Sequence, residues 1–129
     1  MAGTLVIDTL NAGSGVLASQ NGMSGIAKAW VNFNGQGGAS IRGSFNVSSV
    51  TYNTTGVYTL NFTTSLATAN YGVAGMVATN TSSGAGWSVS VYDNGSYTPT
   101  DYSLKVAVGV QNGWPSEYCA RTIGVAVFA

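Results

Sequence analysis

Short runs of β-branched and aromatic residues, separated by clusters of glycine, asparagine and serine, recur along the whole of this 129-residue chain. In one run, Tyr58, Leu60 and Phe62 alternate with Thr59 and Asn61. Because successive side chains of a strand point to opposite faces, this period of two predicts one face toward a core and one toward water. No window of a dozen residues keeps the apolar stripe of an amphipathic helix. The pattern therefore indicates an all-β protein.

Eight strands fit at the spacing typical of a sandwich. The run at Trp87, Val89 and Val91 alternates with serines and predicts a second row of inward-facing side chains. The predicted strands cover residues 4–10, 26–33, 40–50, 57–63, 70–79, 86–92, 102–110 and 121–128. Three dipeptides supply the positive-φ pairs that type I′ hairpin turns require, namely Asn34-Gly35, Asn94-Gly95 and Asn112-Gly113. We expect an antiparallel β-sandwich, jelly-roll-like, of about eight strands.

The first 25 residues differ from the rest because they hold one apolar strand followed by a Gly/Ser/Asn-rich tether. A lone strand gains stability only by pairing with something else. We therefore divide the chain into a docking strand and tether, residues 1–25, and a sandwich knob, residues 26–129. The side chains expected to contact a neighbouring subunit or another protein are Leu5, Val6, Ile7 and Leu10.

Charged residues are scarce. Lys and Arg number four, Asp and Glu number four, and together they make 6% of the chain, against a usual value of about 25%. The four cations are scattered, so no basic patch for nucleic acid can be assembled, and no apolar run is long enough to insert into a bilayer. Because near-zero net charge favours association, we expect oligomers.

The side chains that most enzymes need are missing. The chain has no histidine and one cysteine, Cys119, which excludes the usual zinc sites and the Ser-His-Asp and Cys-His mechanisms. We interpret Cys119 as a small buried apolar residue. Asp93 and Asp101 flank a loop and could approach as a glycosidase pair or, with Asn94, hold Ca²⁺. Turn chemistry is the preferred interpretation. We predict no catalytic residues, no metal, no cofactor and no enzymatic activity.

Aromatic rings lie at or beside the predicted loops where amide and hydroxyl groups cluster. Such rings serve sugar recognition as flat apolar platforms whose polar neighbours fix orientation. The candidate ligand-binding residues are Tyr92, Asn94, Tyr97, Tyr102 and Trp114. The alternative is that most of these rings pack on the ends of the sandwich.

Two central stretches and both ends of the chain carry a family resemblance. The central stretches read GIAKAWVNFNG at 25–35 and IRGSFNVSSVT at 41–51, followed by GVYTLNFTT at 56–64 and ANY at 69–71. These stretches resemble a module of phage tail-fibre-like virion proteins. TLVIDTL at 4–10 is similar to the start of short fibre-like proteins of phages, notably those of cyanobacteria, and IGVAVF at 123–128 to the final strand of the family. The family usually has Asp where Val57 stands and Pro before Ala69, a departure that concerns a loop. The resemblance implies a virion structural protein with a β-rich trimeric knob, and no catalytic residues come with it.

Three functions follow for a virion-surface protein that is assembled in the host cytoplasm and released by lysis. The first is a tail-fibre-type adhesin knob, a homotrimer that contacts a host surface glycan. The second is a capsid decoration or head-fibre protein on capsomers, which the short N-terminal segment favours because it leaves no room for a shaft. The third is a carbohydrate-binding, lectin-like module, which the absence of a signal-peptide pattern disfavours. We order them in this way, with other virion proteins as further partners.

Overall fold

The fold is an antiparallel β-sandwich. The computed structural model describes residues 26–78, 87–93, 95–96, 98–110 and 119–129, and within these ranges the secondary structure is β, without a helix. The strands are β1 Ala29–Asn34, β2 Ser40–Phe45, β3 Val47–Thr54, β4 Val57–Phe62, β5 Gly72–Ala78, β6 Trp87–Val91, β7 Ser103–Val110 and β8 Thr122–Phe128. The predicted all-β sandwich of about eight strands is confirmed.

The strands form two sheets of four. Sheet I has the order β2-β1-β8-β5, and sheet II has the order β3-β4-β7-β6. All neighbouring pairs are antiparallel. The pairs β1–β2, β3–β4 and β6–β7 are consecutive in the chain and stay within one sheet, whereas β2 to β3 and β4 to β5 cross from one sheet to the other. Two layers with inward-facing apolar rows are the arrangement that buries one face of each sheet.

The core lies between the sheets and follows the alternation in the sequence. In β4, Tyr58 and Leu60 are fully buried and Phe62 is 8% exposed, which confirms the predicted inward row. Sheet I contributes its own alternating set from β1 and β8. The core residues include Ala29, Val31, Phe33, Tyr58, Leu60, Phe62, Leu104, Val106, Val108, Ile123, Val125 and Val127. The intervening residues of each strand point the other way and form the two outer faces of the sandwich.

The predicted strand 40–50 is two strands, and this part of the prediction is wrong. The chain breaks at Asn46, whose φ of 54° lies in the left-handed region, so that β2 ends in sheet I and β3 begins in sheet II. Asn46 donates from Nδ2 to the carbonyl oxygens of Lys28 (3.1 Å) and Thr64 (3.0 Å), and its Oδ1 accepts from the Thr64 N–H (2.8 Å). Asparagine tolerates this φ better than most residues. It therefore fastens a corner where the chain changes sheets.

The Asn34-Gly35 pair does not form the predicted type I′ turn. The positive φ values of this connection fall later, at Gly37 (71°), Gly38 (107°) and Ala39 (61°). Gly35 is buried instead, where its carbonyl oxygen accepts a 2.9 Å hydrogen bond from the Tyr58 hydroxyl. A Cβ at this position would overlap that hydroxyl. Glycine is thus required here for close approach.

The β6 prediction holds in part. Val89 packs against the core, whereas Val91, expected to face inward, is 39% exposed at the end of this edge strand. The predicted strand at 4–10, the docking strand and tether at 1–25 and the Asn112-Gly113 turn lie outside the described residues. The described part of the chain contains no helix long and apolar enough to cross a membrane.

Candidate binding surfaces

The outer face of sheet II is lined by hydroxyl and amide groups. Thr51, Thr59 and Lys105 lie in register across β3, β4 and β7, and directly opposite residues of an antiparallel pair share a face. Tyr92 continues this row beyond the end of β6, since its N–H donates to the Lys105 carbonyl oxygen at 2.9 Å. We call this surface the polar face; its residues are Ser49, Thr51, Asn53, Thr59, Asn61, Ser90, Tyr92 and Lys105.

Several side chains of the polar face bond to each other. The Asn61 amide donates to Ser49 Oγ at 2.9 Å and to Thr51 Oγ1 at 3.2 Å. The Thr59 hydroxyl donates to Asn53 Oδ1 at 2.8 Å. Hydroxyl and amide groups keep further donor and acceptor capacity after one such bond. The polar face therefore presents an ordered, nearly uncharged array that can bond to water or to the hydroxyls of a sugar.

Tyr92, a predicted ligand-binding residue, lies at the margin of the polar face. Its ring is half-buried, and the Lys105 ammonium stands 5.1 Å from the ring centroid. A cation at this distance over a ring is attracted by the negative π face. The contact fixes the ring and places the only cation of the polar face beside its only described aromatic residue.

Tyr102, the second predicted residue within the described ranges, is mounted on an ordered turn. Its carbonyl oxygen accepts a 2.9 Å hydrogen bond from the Phe62 N–H. The turn before it is closed by Thr100, whose Oγ1 accepts from the Ser103 N–H at 3.0 Å. The Tyr71 hydroxyl also bonds to the Thr100 and Ser103 carbonyl oxygens, at 3.1 and 3.2 Å. The Tyr102 side chain is 60% exposed, so a fixed backbone presents an accessible ring.

The structure places Tyr92 and Tyr102 at the same end of sheet II. Tyr92 stands opposite Lys105, which lies three residues beyond Tyr102 in the chain, or about 10 Å along a strand. The other predicted ligand-binding residues, Asn94, Tyr97 and Trp114, lie outside the described residues. The predicted ligand-binding cluster therefore stays a prediction, and the structure describes the positions of Tyr92 and Tyr102 alone among its residues.

The outer face of sheet I has the opposite chemistry and was not anticipated from the sequence. Phe45, Trp30, Ala126 and Ala74 lie in register across its four strands, and Met76 and Phe128 lie in the adjacent rows. We call this surface the apolar face; its large side chains are Trp30, Phe45, Met76 and Phe128. The alternation in β1 could have indicated part of this face, because burial of Val31 and Phe33 puts Trp30 on the outer side of the sheet.

Glycines form the floor of the apolar face. A Cβ at Gly43 would lie 3.6 Å from the Trp30 ring, and one at Gly124 would lie 3.0 Å from Met76 Cγ. The large side chains thus lean over neighbouring glycines of the sheet. One end of this outer surface is polar, where the Arg42 guanidinium donates to Thr122 Oγ1 at 2.7 Å.

The candidate acids sit in loops. Asp93 Oδ1 accepts from the Gly95 N–H at 3.4 Å, and Gly95 has a φ of 78°, as the turn interpretation expects. The Asp101 carbonyl oxygen accepts from the Leu66 N–H at 2.8 Å. In the described ranges, no three His, Cys, Asp or Glu side chains come together as a metal cluster.

Among the residues that the structure describes, Tyr58 is the one titratable group with a clear pKa shift. Burial raises the pKa of its phenol above the usual range, and a hydrogen bond with the Cys119 side chain raises that pKa further. The phenol therefore stays protonated and donates to Gly35. Cys119, expected to be buried, is only half-buried beside it. Tyr58 and Cys119 are therefore interpreted as structural residues of the core.

No protein-family model, curated protein or solved structure matches this chain. The resemblance to phage tail-fibre-like proteins therefore remains a prediction.

Proposed function

We propose that this protein is a structural protein on the exterior of a tailed-phage virion, a homotrimeric, tail-fibre-type adhesin knob that contacts the host surface. The observation that carries the proposal is the contrast between the two outer faces of the sandwich. One face exposes Trp30, Phe45, Met76 and Phe128, and the other is built from hydroxyls and amides. A protein held in an assembly on one side and presented to water or glycans on the other needs this division.

The host-contacting region in this proposal is the end of sheet II that carries Tyr92 and Tyr102. The exposed ring of Tyr102 and the half-buried ring of Tyr92, beside amides and hydroxyls, suit the apolar faces and hydroxyl edges of sugars. The low charge of the chain, with four basic and four acidic residues, suits a ligand that is a neutral glycan. Asn94, Tyr97 and Trp114 are the further candidates for this contact. Leu5, Val6, Ile7 and Leu10 are the candidates for docking on other virion proteins.

A second candidate function is capsid decoration. The apolar face spans a whole four-stranded sheet, and such a broad surface suits a protein lying on a shell of capsomers as well as one in a fibre. A lectin-like module is the third candidate, and it needs only the end of sheet II that carries Tyr92 and Tyr102.

Immunogold electron microscopy of purified virions, with an antibody raised against this chain, tests the virion location. We expect gold on the tail or its fibres. Gold spread over the head would replace the adhesin by the decoration protein. Particles without gold, while the antibody detects the free protein, would overturn the virion assignment.

Binding of the purified full-length chain to host cells tests the host contact. Tyr102→Ala should lower binding at least severalfold, because one stacking contact to a sugar is lost, whereas Tyr102→Phe keeps the ring and should retain most of it. Equal binding by Tyr102→Ala and the unmodified chain would remove Tyr102 from the proposed site.

A further inference from the structure

The apolar face is an exposed surface with one amide within it, Asn32, which stands opposite Gly43 and Gly124 in the row of Met76. Met76 is 65% exposed, Trp30 43%, Phe128 39% and Phe45 36%. Register joins them through small residues, because Trp30 stands opposite Ala126, and Ala126 stands opposite Ala74. Scattered single apolar residues are normal on a protein surface, but contiguous patches mark interaction sites. The apolar face therefore has the character of an interaction site.

The charges around the apolar face favour a copy of the same chain. Arg42 is the only charged residue within the described strands of sheet I, and its guanidinium is held at one end by the 2.7 Å bond to Thr122. Three apolar faces gathered around one axis, as in the homotrimer of the proposed function, therefore bring few like charges together. The formal net charge of the whole chain is zero, so approaching copies do not repel each other over longer distances.

The apolar face also reaches an edge strand without the usual protection. Edge strands commonly carry bulges, charges or prolines that prevent pairing. β2 has a bulge and Arg42, and β3 has two irregularities in its pairing with β4. β5 instead pairs with β8 at seven successive positions without a shift, and its sequence GVAGMVA is uncharged. The regular, uncharged β5 thus continues the apolar face to the margin of sheet I.

The dimensions of the apolar face limit the expected strength of association. Four strands at about 4.8 Å and seven residues at about 3.3 Å give a face of roughly 19 by 23 Å, or about 440 Å². Specific stable interfaces bury about 800 Å² per partner. The apolar face alone supplies roughly half of that, so association through it should depend on concentration.

We propose that the apolar face is the surface on which a second copy of this chain packs. The inference rests on the oligomer in the proposed function and not on the virion location. The interface is centred on Trp30 and Met76, and the polar face stays outside it. If the copies do not associate through the apolar face, the gold-labelling result is unaffected. If the gold labelling fails, the association measurement is likewise unaffected.

Light scattering after size-exclusion chromatography of the full-length chain, over a range of about 1–100 µM where such contacts dissociate, tests the proposal. The unmodified chain should give a multiple of the 13.1 kDa chain mass. Met76→Glu places a charge at the most exposed of the four large side chains of the apolar face and should raise the dissociation constant at least tenfold. Trp30→Lys should act in the same direction. Ser90→Glu, at an exposed position on edge strand β6 of the polar face, is the matched control and should leave the mass unchanged.

Thermal unfolding of each variant separates lost association from lost folding. A variant that melts as a folded chain yet runs at 13.1 kDa supports the interface. A single-chain mass for the unmodified protein at the highest concentration would overturn the proposal, since the face would then serve another partner or be covered by another part of the chain. An unchanged mass for both folded face variants would overturn it equally.

Discussion

Replacing Asn46 tests whether the corner between the sheets holds the sandwich together. Asn46→Ala removes three hydrogen bonds, those to the Lys28 and Thr64 carbonyl oxygens and that from the Thr64 N–H. Each such bond contributes about 0.5–1.5 kcal/mol, and partial exposure puts the total near the middle, ~2–3 kcal/mol. Alanine at a φ of 54° adds ~1–2 kcal/mol. The expected loss in the free energy of unfolding is therefore ~3–5 kcal/mol.

Asn46→Gly separates the two contributions. Glycine loses the same hydrogen bonds but adopts a φ of 54° freely. The left-handed penalty for alanine, ~1–2 kcal/mol, exceeds the extra chain entropy that glycine loses on folding, ~0.5–1 kcal/mol. Asn46→Gly should thus be more stable than Asn46→Ala by about 0.5–1 kcal/mol.

Urea denaturation followed by tryptophan fluorescence measures these differences. All variants are compared at one protein concentration, because association adds concentration-dependent stability. Asn53→Ala is the matched control: Asn53 is exposed and accepts one bond from Thr59, so its loss should stay below about 1 kcal/mol. If Asn46→Ala destabilises no more than Asn53→Ala, the corner is not held by these bonds and the reasoning fails.

Three further changes probe the packing around the core. Gly35→Ala forces a Cβ onto the Tyr58 hydroxyl and should lower the free energy of unfolding, measured by thermal melts, by about 1–3 kcal/mol. Gly43→Ala is the control, because its Cβ would lie 3.6 Å from the Trp30 ring, and it should cost little. Equal effects would contradict the close approach of Gly35 and Tyr58. Tyr58→Phe leaves the Gly35 carbonyl oxygen without its donor and should cost about 1–3 kcal/mol. Because burial raises the pKa of Tyr58, its protonated form stabilises the fold below the ordinary value of about 10 and that contribution is lost as pH rises beyond it. Tyr58→Phe should therefore weaken the loss of stability in alkali, and an unaltered pH profile would count against the buried phenol. Gly75→Ala brings a Cβ within 2.6 Å of Val89 Cβ and should destabilise. Adding Val89→Gly, which removes that Cβ, should recover part of the loss in a double-mutant cycle; strictly additive effects would show that the two positions do not meet.

The candidate surfaces were predictable only in part. The composition indicates loop aromatics near hydroxyls and amides, and Tyr102 is accessible as that interpretation requires. The row that joins Tyr92, Lys105 and Thr59 could not be read from the sequence, because these residues are far apart in the chain and meet through the register of three strands. Trp30 could have been placed outside by the alternation in β1. Its neighbours Phe45 and Met76 could not, because they come from strands whose order in the sheet is not local information.

The sequence by itself determined the local geometry of this protein: which segments are extended, and which side chains of β4 face inward. A period of two depends only on the chain's own backbone, so it survives without knowledge of any partner strand. The tertiary structure decided where the chain changes sheets and what the two outer faces contain. Asn46 illustrates the first, because its left-handed φ is stabilised by bonds to residues 18 positions away in both directions. The apolar face illustrates the second, since it exists only when β2, β1, β8 and β5 lie side by side, and strand order is set by packing between segments that are distant in sequence.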